Sequence, residues 1–84
     1  MDESDIRRGV IAAITEVAPE VDAGALSPAQ SLRRQVDLDS MDWLNVIVGW
    51  HRRFGIDIPE ADYAQLSSID AVVRYIAARL PAPR

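Results

Sequence analysis

The chain has 84 residues, no cysteine and a formal net charge of −4. A domain of this size buries only about 60 to 65% of its unfolded surface, so it can fold alone but has no room for a deep catalytic cavity. The missing thiols exclude a disulfide scaffold, a thiolate metal site and a cysteine nucleophile, and the acidic balance argues against nucleic acid as a partner.

The first predicted helix covers residues 4–18. Its apolar residues fall within one stripe about 100° wide, as in a helix with one face on a core. Ser4 or Asp5 is the expected cap, and Pro19 ends the run. The stripe consists of Ile6, Val10, Ala13, Ile14 and Val17.

Residues 19–39 predict a long loop between the first two long helices. Pro19, Gly24 and Pro28 interrupt the segment, and its apolar residues show no clear periodicity. A loop of this length is unusual in so small a domain, and such loops are commonly functional.

The second predicted helix covers residues 40–54, and Gly55 provides its C-terminal stop. If each residue turns the helix by about 100°, its apolar residues cover an arc about 220° wide around the helix axis. This is roughly twice the arc by which a surface helix packs on a core. Either the helix is buried on most sides, or one edge is exposed for a partner. One side of the arc holds Trp43, Val46, Ile47, Trp50 and Phe54, and the other holds Met41, Leu44, Val48 and His51.

Two further helices complete the prediction. A short one follows Pro59 over residues 60–65, and the last covers residues 68–80. The last begins at Ser67-Ser68-Ile69-Asp70, which resembles a capping box, and Pro81 and Pro83 end it. Its stripe is Ile69, Val72, Val73, Ile76 and Leu80. We therefore predict an all-α fold, a small four-helix bundle of three longer helices and one short one, as a single domain over residues 1–84.

Ser40 is the residue with the most informative setting, because it lies on a polar turn where a helix begins. A phosphate joined to its hydroxyl would lie at the positive end of the helix dipole, although an ordinary N-cap would also explain a serine there. If this helix is continuous, a serine hydrolase triad is excluded, because the only histidine, His51, lies about 16 Å farther along it. One histidine without cysteines makes no zinc site either.

The segment Val36-Asp-Leu-Asp-Ser-Met-Asp42 resembles the attachment segment of acyl carrier proteins. The similarity continues without a gap over about half the chain, through Phe54 and Ile58-Pro59 to Ile76, and its core differs from the usual Asp-Ser-Leu only by Met41. The resemblance implies that Ser40 bears 4′-phosphopantetheine, attached by a phosphopantetheinyl transferase from coenzyme A with Mg²⁺. Asp39 would help to orient the transferase and its metal ion.

The resemblance also implies a carrier rather than an enzyme. Acyl groups would travel as thioesters between acyl-loading and acyl-processing enzymes of a fatty acid, lipid or polyketide-type pathway. The implied docking residues are Met41, Asp42, Leu44, Val48 and Arg52. The implied lining of an acyl pocket is Val46, Trp50, Ile58, Leu66, Ile69 and Val72. If Trp43 and Trp50 instead pack in the core, long acyl chains would fit poorly.

The second predicted helix departs from those of familiar fatty-acid carriers, which are rich in glutamate. Here Asn45, His51, Arg52 and Arg53 occupy comparable positions. Arginines are by default solvated surface, but as partner contacts they would indicate a specialised pathway.

Two other interpretations stay open. A carrier of aminoacyl or peptidyl groups would use the same serine, although the lack of a histidine just before Ser40 favours acyl groups. A helical interaction module without a prosthetic group would use Met41, Leu44 and Val48 as its docking face. In each case we expect a cytoplasmic monomer without membrane insertion, because no apolar run could span a bilayer and the N-terminus is acidic where a signal peptide is basic.

Overall fold

The computed structural model describes residues 1–80, and within these residues every regular element is helical. The α-helices are α1 (Glu3–Val17), α2 (Leu32–Gln35), α3 (Ser40–Phe54) and α4 (Ile69–Arg79), with 3₁₀ helices at Ala23–Ala25 and Glu60–Gln65. The all-α prediction is confirmed, with three long helices at nearly the predicted bounds. The stop assigned to Pro81 and Pro83 lies outside the described residues.

The caps of α1 and α4 differ from the predicted ones. Asp2, not Ser4 or Asp5, caps α1, because its carboxylate accepts a hydrogen bond from the Asp5 amide at 2.9 Å. The Ser68 hydroxyl caps α4 by accepting from the Ala71 amide at 3.1 Å. The predicted capping box, which begins at Ser67, is therefore wrong by one residue. The Asp70 carboxylate that it required accepts instead from Arg7 of α1, at 2.8 Å.

The long connection contains more structure than predicted. The side-chain amide of Gln35 holds it closed, accepting from the Ser27 amide at 2.6 Å and donating to the Ser27 carbonyl at 2.8 Å. The Leu32 amide donates to the Ser67 carbonyl at 2.8 Å, which fastens α2 to the start of α4. These hydrogen bonds therefore fix the position at which the chain enters α3.

The core lies where α1 packs against both α3 and α4. The predicted stripes of α1 and α4 are buried, except that Val17 and Leu80 are only partly buried. Gly55 ends α3 in the left-handed conformation, at φ 64°, and Gly9 permits close approach of α3, since a methyl group there would lie 2.5 Å from Phe54 Cζ. Among residues 1–80, no helix combines the length and apolar character of a membrane span.

Candidate functional site

Ser40 is the first residue of the 15-residue helix α3, and its side chain is exposed. Asp39 is the N-cap: its backbone is extended, and its Oδ1 accepts from the Asp42 amide at 2.8 Å. The interpretation of Ser40 as an ordinary N-cap is therefore wrong. Because Asp39 already caps the helix, the serine hydroxyl is not needed for that purpose.

The surroundings of Ser40 suit a phosphate ester. The first amides of a helix have no intrahelical partner, and the helix dipole adds about half a positive charge there. Leu38 and Trp43 are buried on either side and hold the turn against the core. The exposed hydroxyl is thus presented from a fixed backbone. Among residues 1–80, no three His, Cys, Asp or Glu side chains come together as a metal site.

Three apolar side chains lie exposed along α3 beyond Ser40, and we call them the apolar edge: Met41 (74% exposed), Leu44 (46%) and Val48 (43%). The opposite side of α3 is buried in the core. The sequence left open whether this helix is buried on most sides or has one exposed edge, and the structure shows the exposed edge. Asp42 beside it is partly buried, and Arg52 is exposed one turn beyond Val48.

The arginines differ in whether they form an ion pair. Arg53 bonds Glu16 of α1 at 2.6 Å. Arg7 joins α1 to α4 through Asp70, and this hydrogen bond raises the pKa of Arg7. The Arg33 guanidinium lies 5.9 Å from the ring centre of Trp43. Within the described residues, Arg52 has no ion-pair partner.

An open groove of about 560 Å³ runs between α3 and the 60–65 helix. It is lined by Ile47, Val48, His51, Asp57, Ile58, Pro59 and Tyr63. Of the six residues assigned to an acyl pocket, only Ile58 lines this groove. The other five are fully buried in the core: Val46, Trp50, Leu66, Ile69 and Val72. Their contact with an acyl chain stays a prediction.

The sequence does not separate groove from core, because the groove combines residues from both sides of the apolar arc of α3 with residues of a separate segment. His51 was assigned no chemistry, yet it borders the groove, and its Nδ1 lies within hydrogen-bond distance of the Ile56 carbonyl. That carbonyl can only accept, so Nδ1 carries a proton. No periodicity within one helix could have revealed a groove built from two elements.

The 60–65 helix is fastened to α4 by one carboxylate. Asp62 accepts from the Tyr75 hydroxyl at 2.6 Å and from Arg79 at 3.2 Å. The Arg79 guanidinium also lies 3.6 Å from the ring centre of Tyr75. Burial, and secondly the hydrogen bond to Asp62, raise the pKa of the Tyr75 phenol. This contact holds the groove wall that carries Tyr63.

Comparison with known proteins agrees with the geometry. The family model described as "Phosphopantetheine attachment site" matches residues 8–76. The chain is 30% identical to an acyl carrier protein from Thermobifida fusca over 88% of its own length and 92% of the relative's. It is 31% identical to the meromycolate extension acyl carrier protein of Mycobacterium tuberculosis over 80% of its length, but spans only 61% of that protein.

A solved structure shows the same fold. The solution structure of a protein from Anaplasma phagocytophilum, assigned as an acyl carrier protein, superposes with a TM-score of 0.81 at 28% identity, covering 93% of this chain and 91% of that one. The exposed serine, the free helix amides and the positive helix end fit the phosphate of a pantetheine arm. The chain belongs to the acyl carrier protein family, and its prosthetic group is covalently attached 4′-phosphopantetheine.

Proposed function

We propose that Ser40 is the attachment residue and that the chain carries acyl thioesters between enzymes without catalysing a step itself. The observation that supports this best is the exposed hydroxyl of Ser40 at the start of α3, with the helix cap supplied separately by Asp39. When bound, the prosthetic group supplies a thiol on a flexible arm, and this thiol holds the acyl group as a thioester.

The protein's own part is to present a nucleophile and to be recognised. The Ser40 oxygen forms the new bond to the phosphorus of the pantetheine phosphate as the pyrophosphate bond of coenzyme A breaks. Adenosine 3′,5′-bisphosphate leaves, and the transferase accepts the hydroxyl proton. The positive end of α3 favours the charge of the resulting phosphodiester. Asp39 uses one carboxylate oxygen in the cap, and the second would face the transferase and its Mg²⁺.

The apolar edge of Met41, Leu44 and Val48 would bind the transferase and the acyl-processing enzymes. It begins directly after Ser40 on the same helix, so an enzyme bound there has the arm within reach. Asp42 and Arg52 would lie at the margins of this contact. We further propose a cytoplasmic monomer, which cell fractionation and light scattering of the purified protein would test.

The test is the intact mass after incubation with coenzyme A, Mg²⁺ and a broad-specificity transferase. We expect one added phosphopantetheine, located at Ser40 by peptide mapping. Ser40→Ala should abolish the addition while leaving the free energy of unfolding within about 0.5 kcal/mol, since the cap is Asp39.

Ser68→Ala is the matched control, because Ser68 also stands at a helix start but is buried and bonded to Ala71. It should lower stability by about 1 kcal/mol through loss of the cap and still accept the group. Addition at another serine would contradict the assignment to Ser40. No addition with several transferases would contradict the carrier function and favour an interaction module.

A further inference from the structure

An acyl chain attached through Ser40 gains free energy by leaving water for an apolar surface. The groove between α3 and the 60–65 helix offers such a surface through Ile47, Ile58 and Tyr63. It begins at Val48, which also belongs to the apolar edge and lies eight residues after Ser40, about 12 Å along the helix. The groove is thus directly accessible from the attachment site.

Trp50 fills the interior between α1 and α3, on the buried side of the helix that forms one wall of the groove. Ile47 is buried at the groove's inner side, and Trp50, three residues later on α3, is the largest of the fully buried side chains. Its indole Nε1 donates to the Val10 carbonyl of α1 at 3.1 Å. Its ring meets that of Trp43 edge to face, with 5.7 Å between ring centres. Both contacts hold the indole across the space between α1 and α3.

An acyl chain that entered the space between α1 and α3 would have to displace Trp50. The indole N–H would then lose its only hydrogen-bond partner in a buried site, and the aromatic pair would separate. Because side chains in protein interiors are packed nearly as densely as in crystals, moving the ring would also disturb the side chains packed around it. The contacts of Trp50 therefore oppose insertion into the bundle.

We propose that Trp50 closes the interior of the bundle to acyl chains, so that the protein carries short acyl groups in the surface groove. This inference rests on the proposed attachment at Ser40. A short acyl group can lie on Ile47, Ile58 and Tyr63 in the groove. A chain longer than the groove would extend past it into water, and its further methylene groups would gain little free energy. Trp50 is in this sense a specificity-determining residue.

The experiment compares acetyl- and octanoyl-phosphopantetheinyl forms of the whole protein, made with the corresponding acyl coenzyme A and a broad-specificity transferase. Intact mass is measured first, so that failure of attachment is seen separately from failure of this inference. The octanoyl form should melt within about 4 °C of the acetyl form, the smallest shift expected from 1 kcal/mol in a domain of this size. Stabilisation by more than this would overturn the inference.

Cleavage by hydroxylamine gives a second measure on the same samples. The octanoyl thioester on the protein should be cleaved less than about threefold more slowly than octanoyl-pantetheine in solution, well short of the tenfold that corresponds to 1.4 kcal/mol of protection. Greater slowing would show that the chain is sequestered inside the bundle and would also overturn the inference.

Trp50→Leu should create the missing space, so that octanoylation then raises the melting temperature and slows cleavage relative to the acetyl form. Phe54→Leu is the matched control, because it also shortens a buried aromatic residue of α3 but one that packs on Gly9, away from the groove. A folded Trp50→Leu without this gain, or an equal gain in Phe54→Leu, would refute the role of Trp50. If Trp50→Leu does not fold, the comparison of the two acyl forms of the unmodified sequence decides.

Discussion

Leu44→Glu tests whether the apolar edge is a binding surface. Leu44 is 46% exposed, so the change removes roughly half of the 1.5–3 kcal/mol that a fully buried leucine contributes, or about 1 kcal/mol. Leucine and glutamate have similar helix propensities, so the change in propensity adds little to this loss of stability. The melting temperature should therefore fall by only about 4–8 °C. Transfer of phosphopantetheine should slow by about tenfold or more, as expected when a charge enters a desolvated contact.

The assay pairs thermal unfolding, followed by circular dichroism, with transferase kinetics followed by intact mass. Val46→Glu is the buried comparison: it would place an unpaired carboxylate in the core at a cost of about 3–5 kcal/mol, a large part of the total stability of a small domain. Asn45→Glu is the surface control, because it adds the same charge at an exposed neighbouring position.

Two results would refute this reasoning. If Leu44→Glu destabilises the domain as strongly as Val46→Glu, the edge belongs to the core in solution. If Asn45→Glu slows transfer as much as Leu44→Glu, the effect comes from charge alone and the apolar edge has no specific role.

Three further predictions concern single side chains: Asp39, Tyr75 and Arg52. Asp39→Ala should lower the free energy of unfolding by about 1 kcal/mol, because it removes the cap of α3, and chemical denaturation measures this; equal stability would show that the cap is dispensable. The raised pKa of Tyr75 means that the folded state holds the phenolic proton more tightly than the unfolded state. This contribution to stability should therefore be fully present below the unfolded tyrosine pKa of about 10 and be lost as pH rises above it to the raised pKa of the folded state. Tyr75→Phe should weaken this alkaline dependence, and an unchanged pH profile would contradict the assignment. Arg52→Glu should improve loading by a malonyl transferase of general fatty acid synthesis, most clearly at low salt; indifference to the change and to salt would show that Arg52 is only solvated surface.

The long helices were predictable because each has a repeated apolar stripe and a local end. For α3, Gly55 can adopt the left-handed conformation that ends a helix, and the predicted bounds 40–54 are those observed. The choice of cap was not predictable in the same way. Asp39 and Ser40 are both good N-caps, and which one serves depends on where the chain first becomes helical, which the packed loop before α3 decides.

The short helices and the groove depend on contacts between distant segments. Helix α2 has four residues, too few to show a period, and hydrogen bonds from Gln35 and to Ser67 hold it in place. The groove joins His51 of α3 with Tyr63 of another element. Such neighbours are set by tertiary packing, so the sequence pattern predicts that Ser40 begins a helix but does not predict which residues line the groove.

The arginines show how the structure narrows a hypothesis about partners. In the sequence, Arg52 and Arg53 together form a basic end of the helix that begins at Ser40. The structure pairs Arg53 with Glu16 of α1 at 2.6 Å, so much of its field is cancelled locally. Arg52 then remains as the exposed cation at the far end of the apolar edge. A partner enzyme that matches this surface would carry an apolar patch opposite Leu44 with a carboxylate beyond it, the reverse of the basic surfaces that bind acidic carriers. At the end of α3, the expectation of a specialised pathway thus rests on the charge of Arg52, which a single substitution can test.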